Sequence, residues 1–339
     1  MVTFDAHRPT IVDVAKAAGV SKSLVSLALR GDSGVSEATR ARIAGIADQL
    51  GYRSNRLARS LVQGRTALFG AITTDLGNAY YTEILSGVEV AAENTGFGVL
   101  IGQGRRDAGR LASRLDDLIG LNVDGIVVVS SRVDPRVLAS AAGRMPIVVV
   151  GRMPEVVPGV DTVTSDDEAG AFAATSHLLG AGHRRIAFAT ASSRPAARAR
   201  RAGYAAAMHG AGAAALVLAA DDLQALGSRV RAMLTADPSA VGRTSSRATA
   251  VVASNDLTAV TVLDAAIDLG LDVPGDLAVV GYDNTALASL VRPRLSSVDQ
   301  PSDSIGQLCV DLLLERLAGR STDRHEVLAP TLVVRASST

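Results

Sequence analysis

The arrangement of apolar and polar positions along the 339-residue chain changes near residue 65. Before that point, apolar residues recur at helical spacing in three short segments separated by turn residues. After it, short runs rich in Val and Ile alternate with longer Ala-rich amphipathic stretches. The pattern predicts a small all-α head followed by a much larger α/β body.

Capping residues mark the helices of the head. Thr10, with Asp13 three positions later, forms a capping box for a first helix that stops at Gly19. Ser21 caps a second helix, and a third begins at Ser36. The apolar positions expected to form the small core of the head are Val25, Ala28, Leu29, Ile43, Ile46, Ala47 and Leu50.

The first two helices are joined by a turn that contains glycine and therefore form a helix-turn-helix. Such a unit can place its second helix in the major groove of DNA. The outer face of that helix would present Lys22, Ser23 and Ser26, which can meet base edges and phosphates. Leu27 lies beside them and would contact a thymine methyl, or pack on the third helix or on the segment 54–65 that follows it. The alternative is a small helical interaction domain that binds no nucleic acid.

Charge is distributed unevenly, although the formal net charge of the chain is zero. Residues 1–65 contain ten Lys and Arg against five Asp and Glu, which gives +5 for the head and −5 for the remainder. A basic head on an acidic body favours a polyanionic partner, with chance variation in a short window as the alternative. The basic segment SNRLARSLVQGRT at 54–66 is too short for a stable isolated helix, so we expect it to order on DNA.

Seven apolar runs predict strands in the body: TALFGAIT, FGVLIG, DGIVVVS, PIVVVG, RRIAFAT, ATAVVAS and LAVVGYD. They predict parallel sheets with crossover helices, and their number favours two subdomains, with ligands at the carboxyl ends of the strands. After the first run, Asp75 and Asn78 offer hydrogen bonds and Tyr80 and Tyr81 offer aromatic faces, a combination that suits a sugar. Packing at the start of a helix is the alternative role for Tyr81.

Several classes of function lack the residues that they require. The five histidines show no metal-binding spacing, and the single cysteine, Cys309, allows neither a zinc pair nor an internal disulfide. IGQGRRD lacks the third glycine of a dinucleotide fingerprint, and no G-x-S-x-G elbow occurs. We therefore expect no cofactor, no metal site and no enzymatic activity. We find no secretion signal or membrane-spanning run, so we expect a cytoplasmic protein.

Two stretches of the head carry a family resemblance. IVDVAKAAGVSKSLVSLALRG and VSEATRARIAGIADQLGYRSNRLARSL resemble the DNA-binding head of the LacI/GalR family of bacterial transcription regulators, and the resemblance continues to about residue 336. It implies a helix-turn-helix domain over 1–53, a hinge helix and linker over 54–65, and a ligand-binding and dimerisation domain over 66–339. The DNA-binding residues that it implies are Thr10, Ser21, Lys22, Ser23, Ser26, Leu27, Arg30, Asn55, Arg56, Arg59 and Leu61.

Two departures from the family pattern concern DNA binding. The usual Val-Ser-Arg reads Val-Ser-Leu at 25–27, so we expect a weaker polar readout. The usual Tyr-x-Pro-Asn has Ser54 in place of proline, so we expect a hinge that is less stable without DNA. The resemblance implies that Leu61 wedges between base pairs in the minor groove, whereas spacing alone also fits a linker residue that packs on the body.

For the body, the resemblance implies the fold of periplasmic sugar-binding proteins, with two lobes of about 66–164 plus 299–326 and 165–298 plus 327–339. Arg200 matches the pocket arginine of an R-x-x-G-aromatic motif, and Asp256 matches a helix cap. Capping alone is the alternative role for Asp256 and for Asp283, and we expect Arg198 and Arg201 on a solvated helix face. The implied ligand-binding residues are Asp75, Tyr80, Tyr81, Arg194, Arg200, Asn255 and Asp283.

Together these features predict a ligand-responsive, sequence-specific DNA-binding transcription regulator, with a repressor controlled by a sugar or related small molecule as the favoured form. Two heads are needed to cover the half-sites of a pseudo-palindromic operator, so we expect a homodimer. Two alternatives are a solute-binding protein of the same body fold without a regulatory role and an α/β enzyme. The basic head counts against the first, and the absence of a catalytic motif counts against the second.

Overall fold

The chain divides into two units, Met1–Thr66 and Ala67–Thr339. A computed structural model describes residues 9–30, 33–52, 65–236 and 247–339. The predicted hinge residues Asn55, Arg56, Arg59 and Leu61 lie outside the described residues, as does the side chain of Arg30.

Three helices form the described part of the head: α1 (Ile11–Ala18), α2 (Lys22–Arg30) and α3 (Glu37–Gln49). The predicted caps are confirmed. Thr10 and Asp13 make a capping box, and Gly19 ends α1 with a left-handed φ of 63°. The hydroxyl of Ser21 accepts the amide of Leu24 at 3.1 Å, and that of Ser36 caps α3.

The core of the head is built from small and branched apolar side chains. Its buried members include Val25, Ala28, Ile43 and Ala47, as predicted. The prediction for Leu50 is wrong, because this residue is the C-cap of α3 and is 39% exposed. Leu29 and Ile46 pack against the core while only partly buried.

Two of the basic residues of the head bind the ends of helices. Nη1 of Arg40 donates to the carbonyl of Ala28 at 3.0 Å, and Nη1 of Arg42 donates to the carbonyl of Ala18 at 3.1 Å. These carbonyls belong to the last turns of α2 and α1, where a cation is favoured by the helix dipole. Part of the positive charge of the head therefore stabilises its own helices.

In the body, each predicted apolar run forms a strand. In chain order the described elements are β1 (Leu68–Thr73), α4 (Ala79–Asn94), β2 (Gly98–Gln103), α5 (Ala108–Gly120), β3 (Gly125–Val129), α6 (Pro135–Ala142), β4 (Ile147–Val150), β5 (Val160–Ser165), α7 (Asp167–Gly180), β6 (Ile186–Thr190), α8 (Pro195–Gly210), β7 (Leu216–Ala219), α9 (Leu223–Leu234), β8 (Ala250–Ala253), α10 (Asp256–Asp268), β9 (Ala278–Asp283), α11 (Ala286–Leu290), β10 (Ser296–Asp299), α12 (Ser302–Leu317), β11 (His325–Leu328) and β12 (Thr331–Val333).

The described strands form two six-stranded sheets, with orders β11-β5-β4-β3-β1-β2 and β12-β10-β9-β8-β6-β7. Neighbouring strands are parallel except for β10 and β12. In the first sheet, α4 and α12 cover one face and α5 and α6 the other. In the second, α9 and α10 cover one face and α7 and α8 the other. We call each sheet with its helices a lobe.

The chain passes between the lobes at three places: from β5 to α7, from β10 to α12, and from β11 to β12. The last change of lobe was predicted after residue 326, but β11 remains in the first sheet until Leu328. No described helix combines the length and the apolar character needed to cross a membrane.

A buried ion cluster joins β5, α12 and β11, the three elements of the first lobe that flank these passages. Asp161 on β5 is fully buried and accepts hydrogen bonds from Arg316 at 2.8 Å, from Arg320 at 2.6 Å and from the amide of Arg324 at 2.8 Å. Burial raises the pKa of this carboxyl, but the hydrogen bonds from Arg320 and Arg316 outweigh it and bring the pKa down to about 2. One carboxylate therefore fixes β5, the end of α12 and the turn that precedes β11.

We expect Asp161→Asn to lower the free energy of unfolding by about 3 kcal/mol, because two largely buried guanidinium groups lose their shared counter-charge. The control, Asp117→Asn, breaks an exposed pair with Arg114 and should cost less than about 1 kcal/mol. Urea unfolding of the full chain measures both. Since the pKa of Asp161 is lowered on folding, its stabilisation should be present above the unfolded value of 3.8 and be lost as the pH falls through about 2. Equal losses in the two variants would contradict this role.

Candidate functional site

Two connected cavities lie where the carboxyl ends of the strands of both lobes meet. The inner cavity has a volume of about 120 Å³ and is lined by Tyr80, Ser165, Arg194, Arg200, Asn255 and Asp283, among others. The outer cavity, of about 760 Å³, has Asp75, Arg106, Arg132 and Arg229 in its wall. Asn78, Tyr81, Ser192, Arg194, Ser254 and Asn255 line both. This is the position that the strand-end rule predicts for a ligand.

Arg200 is the central charged group of the inner cavity. Its guanidinium donates to Asp167 at 2.8 Å, to the carbonyl of Ser254 at 2.6 Å and to Asp283 at 3.2 Å. It also lies over the ring of Tyr282, 3.7 Å from the centroid. Burial by itself lowers the pKa of Arg200, but the charges of Asp167 and Asp283 outweigh it and raise that pKa, so the group is a permanent cation.

The R-x-x-G-aromatic motif positions Arg200 through its glycine and its tyrosine. A Cβ on Gly203 would lie 2.0 Å from the carbonyl oxygen of Glu168, so glycine lets α8 approach the first turn of α7. That approach brings Arg200 within reach of Asp167, the first residue of α7. The hydroxyl of Tyr204 donates to the carbonyl of Ile186 at 2.8 Å and accepts the amide of Leu216 at 2.8 Å, which ties α8 to β6 and β7.

Asp283, at the end of β9, joins Arg200 to the other lobe. Its Oδ1 accepts Nε2 of Gln300 at 2.6 Å, and Oε1 of Gln300 accepts the hydroxyl of Tyr80 at 3.1 Å. Tyr80 belongs to α4 of the first lobe, so a continuous hydrogen-bond chain spans the cleft. The backbone of Asp283 has a φ of 97°, a left-handed conformation that is costly for a residue with a side chain and is concentrated at functional sites.

Burial in the inner cavity also affects the pKa of Asp283 and of Tyr80. Burial raises the pKa of Asp283 to about 7, and the charges of Asp256 and Asp167 act in the same direction, against Arg200 and the hydrogen bond from Gln300. Burial also raises the pKa of Tyr80 well above its usual value. Tyr80 is therefore a neutral hydrogen-bond donor, whereas Asp283 changes protonation near neutral pH.

The resemblance implied a ligand contact for Asn255 and a helix cap for Asp256, but the cap is Asn255. Asn255 caps α10, because its Oδ1 accepts the amide of Thr258 at 2.8 Å. Asp256 is buried, and its carboxylate accepts the amide of Thr285 at 2.7 Å and the hydroxyl of Ser297 at 2.6 Å. Asn255 nevertheless lines both cavities. Asp256, which follows β8, connects the segment after β9 with β10.

The remaining predicted pocket residues fall into two groups. Tyr81 and Arg194 line both cavities, and Tyr81 also packs against the core of the first lobe. Asp75 lines only the outer cavity, where it accepts the amide of Gly77 at 2.9 Å and pairs with Arg106 at 2.7 Å. Asp75 is thus separate from the cluster around Arg200. The neighbours Arg198 and Arg201 are exposed on α8, as predicted.

Four charged or polar residues of the inner cavity that matter for its chemistry, among others not identified from the sequence, are Arg152, Ser165, Asp167 and Gln300. Three of them end or follow strands β5 and β10, which no apolar run marked. The usable signal was their position, since polar residues directly after a strand end are placed at the same edge as the predicted pocket residues.

In the head, α2 presents a small polar surface. Lys22 and Ser23 are exposed, and Ser26 and Leu27 are half-buried. Leu27 is absent from the apolar residues that form or contact the head core within the described part of the chain. The hydroxyls of Thr10 and Ser21 are engaged as helix caps.

We find neither a metal-ligand cluster nor an exposed thiol in the part of the chain that the structure describes. No group of three or more His, Cys, Asp or Glu side chains is placed to hold a metal ion there. Cys309 is buried in α12, and burial raises the pKa of its thiol well above the usual value, so the thiol is unreactive.

Comparison with known proteins assigns relatives to both units. Residues 10–55 match the family described as bacterial regulatory proteins, lacI family, and residues 175–338 match the periplasmic binding protein-like domain. Catabolite control protein A of Priestia megaterium is 31% identical over 97% of this chain and 99% of its own. The ribose operon repressor of Escherichia coli (strain K12) is 32% identical, with the same coverage of both chains.

Two solved structures extend the comparison to the fold. The lac repressor dimer bound to operator and an anti-inducer superposes with a TM-score of 0.84 at 24% identity, covering 98% of this chain and 99% of that one. The complex of the transcriptional regulator CelR with cellobiose gives a TM-score of 0.68 at 30% identity, covering 97% and 100%.

We expect Asp283→Asn to remove a pH dependence of stability. With a folded pKa of about 7 and an unfolded value of 3.8, the folded protein holds a proton between these pH values that the unfolded chain has released. Stability of the parent protein should therefore fall relative to the variant as pH rises from 5 to 7, by up to about 1.4 kcal/mol per pH unit. Urea unfolding at several pH values measures the difference.

The control for this experiment is Asp134→Asn, which changes an exposed carboxyl that caps α6 and for which asparagine is an equally good cap. Its pH profile should run parallel to that of the parent. If the Asp283→Asn profile also ran parallel to the parent, Asp283 would have no raised pKa.

Proposed function

Because the chain belongs to the lacI family of bacterial regulatory proteins, we propose that it represses transcription as a homodimer on a pseudo-palindromic operator and that a sugar-like ligand in the cleft controls its affinity for that DNA. The chain is a DNA-binding transcription regulator by family. The observation that carries the proposal is the combination, in one chain, of a helix-turn-helix with an outward polar face and a body whose two lobes share a polar cavity.

The head contributes contacts of two kinds in this proposal. Lys22, Ser23 and Ser26 of α2 meet base edges and phosphates, while the hinge residues Asn55, Arg56 and Arg59 and the wedge Leu61 act in the minor groove. Two heads are needed for two half-sites, which is the reason for a homodimer. A regulator of chromosomal operators acts in the cytoplasm, and its action requires no catalytic step.

The body contributes the control. A ligand can change DNA affinity only by the difference between its affinities for two arrangements of the protein. The hydrogen-bond chain from Tyr80 through Gln300 to Asp283 spans the two lobes. A ligand that forms hydrogen bonds with these groups therefore favours one arrangement of the lobes. The ribose operon repressor among the relatives, and the cellobiose complex of CelR, support a sugar-like ligand. We assign its contacts to Tyr80, Tyr81, Arg194, Arg200, Asn255 and Asp283, with Asp75 at the outer rim.

A gel-shift experiment with the full chain and the DNA upstream of its own gene tests the proposal. We expect a retarded band at low salt that weakens as salt rises, because cations on the head displace counterions from phosphates. Lys22→Glu should weaken binding about tenfold or more. Arg144→Glu, which makes the same charge change at an exposed position of the body, should leave it unchanged. The absence of any retarded band at low salt would overturn the proposal.

The apolar residue in the reading helix gives a second test. We expect Leu27→Arg to change the base preferred at one position of each half-site, with a discrimination of about 1–3 kcal/mol, because arginine can donate two hydrogen bonds to guanine. Leu27→Met, which stays apolar, should keep the original preference. Selection of binding sites from random DNA measures both. An unchanged preference in the arginine variant would mean that residue 27 does not face the bases.

A further inference from the structure

The inner cavity has more positive than negative charge in its wall. Three arginines, at positions 152, 194 and 200, and two aspartates, at 167 and 283, are its charged residues within the described chain. Both aspartates are hydrogen-bonded to Arg200. Arg152 and Arg194 are left with no carboxylate partner among the described residues. The cavity therefore carries a positive charge that its own acids do not neutralise.

Arg194 is the more informative of these two unneutralised arginines. It is half-buried, and its guanidinium makes no hydrogen bond or ion pair within the described residues. Burial lowers its pKa, Tyr81 opposes that effect, and the like charges of Arg132 and Arg106 add to it. The neighbouring Asp75 is already paired with Arg106. A half-buried guanidinium without a counter-ion is costly, and an anion placed beside it offsets that cost.

The first turn of α8 adds donors beside Arg194. Arg194 is the N-cap residue and gives no side-chain cap, and the first helical residue is Pro195, which has no N–H. The next two residues, Ala196 and Ala197, line the inner cavity. Amides in the first turn of a helix have no partner within the helix, and the helix dipole makes this end favourable for negative charge.

A separate observation on the opposite lobe points to a ligand at the same place. Ser165, at the end of β5, lines the inner cavity and is only 4% exposed. Its hydroxyl has no hydrogen-bond partner among the described residues. A buried hydroxyl without a partner is rare in proteins, and a ligand oxygen in this cavity would supply one.

We propose that the ligand of the cleft carries an oxyanion group, phosphoryl or carboxylate, held by Arg194, Arg152, the first turn of α8 and the hydroxyl of Ser165. The inference rests on the proposed function, in which this cleft holds the effector. Arg152 and Ser165 belong to the first lobe and Arg194 to the second. The oxyanion therefore links the lobes, while the uncharged, sugar-like part of the ligand faces Tyr80 and Asp283.

Titration calorimetry on the full chain at fixed ionic strength tests the proposal. The probes are glucose 6-phosphate, ribose 5-phosphate and gluconate, their neutral counterparts glucose and ribose, and inorganic phosphate. We expect at least one charged compound to bind about tenfold or more tightly than its neutral counterpart, and inorganic phosphate to compete with it. Preference for the phosphate esters or for gluconate distinguishes the two kinds of oxyanion.

Substitutions at Arg194, the N-cap of α8, and at Arg198, on the same helix, test which residue causes the preference for a charged ligand. Arg194→Gln should weaken binding of the charged compound about tenfold or more without affecting binding of its neutral counterpart. Arg194→Lys should restore part of the lost affinity. Arg198→Gln, at an exposed position four residues later, should change neither. Thermal unfolding of each variant establishes that it is folded.

The proposal is overturned if neutral sugars bind as tightly as their charged counterparts, if none of the charged compounds binds, or if Arg194→Gln leaves their affinity unchanged. These outcomes are distinct from failure of the proposed function. A protein that shifts operator DNA but responds only to neutral sugars keeps the regulator role and loses the oxyanion site. A protein that shifts no DNA loses the regulator role whatever the calorimetry gives.

Discussion

The arrangement of the cleft depends on the burial of one positive charge, the guanidinium of Arg200. A buried cation is tolerated only when it is surrounded by acceptors, and Arg200 has two carboxylates, one carbonyl and the face of an aromatic ring. These acceptors lie on α7, at the end of β8 and on β9. Satisfying Arg200 therefore fixes the carboxyl ends of the second sheet relative to α7 and α8, and Gly203 provides the close approach of the two helices.

The same requirement explains why the cleft can respond to a ligand. One carboxylate oxygen of Asp283 accepts hydrogen bonds from both Arg200 and Gln300. The backbone of Asp283 has a positive φ, and the pKa of its carboxyl is raised to about 7. Gln300 then passes the connection to Tyr80 in the first lobe. A ligand that takes one of these hydrogen bonds disturbs groups that have few other partners, so a small chemical change at the cavity alters the contact between the lobes.

The sequence was informative where one physical signal dominated. Six of the seven strands found from apolar runs are buried on both faces, and parallel strands of that kind are continuously apolar. The seventh, β2, is an edge strand that is only partly buried. Strands β5, β10 and β11 were missed because they carry polar residues, as in VDTVTS, SSVD and HEVL. The edge strand β7 was missed although it is apolar, because its LVLA spans only four residues. The pocket residues Ser165, Asp167 and Gln300 were missed with β5 and β10. A residue at a strand end can be identified only after the strand itself has been found.

Other errors arose where two residues could meet the same local requirement. Asn255 and Asp256 are adjacent candidates for the cap of α10, and only the geometry shows that the amide caps while the acid binds Thr285 and Ser297. Asp75 follows a strand as a pocket residue should, yet Gly77 and Arg106 hold it at the outer cavity. The number of basic residues in the head is equally ambiguous as an indication of a polyanionic partner, because Arg40 and Arg42 bind helix ends within the head.

The charged side chains that remain unpaired therefore carry more information about function than the total number of charged residues does. In the head, Lys22 stands exposed at the first residue of α2, next to the hydroxyl of Ser23. In the body, Arg194 stands at the cap of α8, next to amides of the first turn. Both positions combine a cation with the positive end of a helix dipole, an arrangement that favours anions over neutral groups. The two positions differ in burial. The exposed site at Lys22 suits the phosphates of a duplex, with an affinity that depends on salt. The half-buried site at Arg194 is screened less by salt and can select a single small anion.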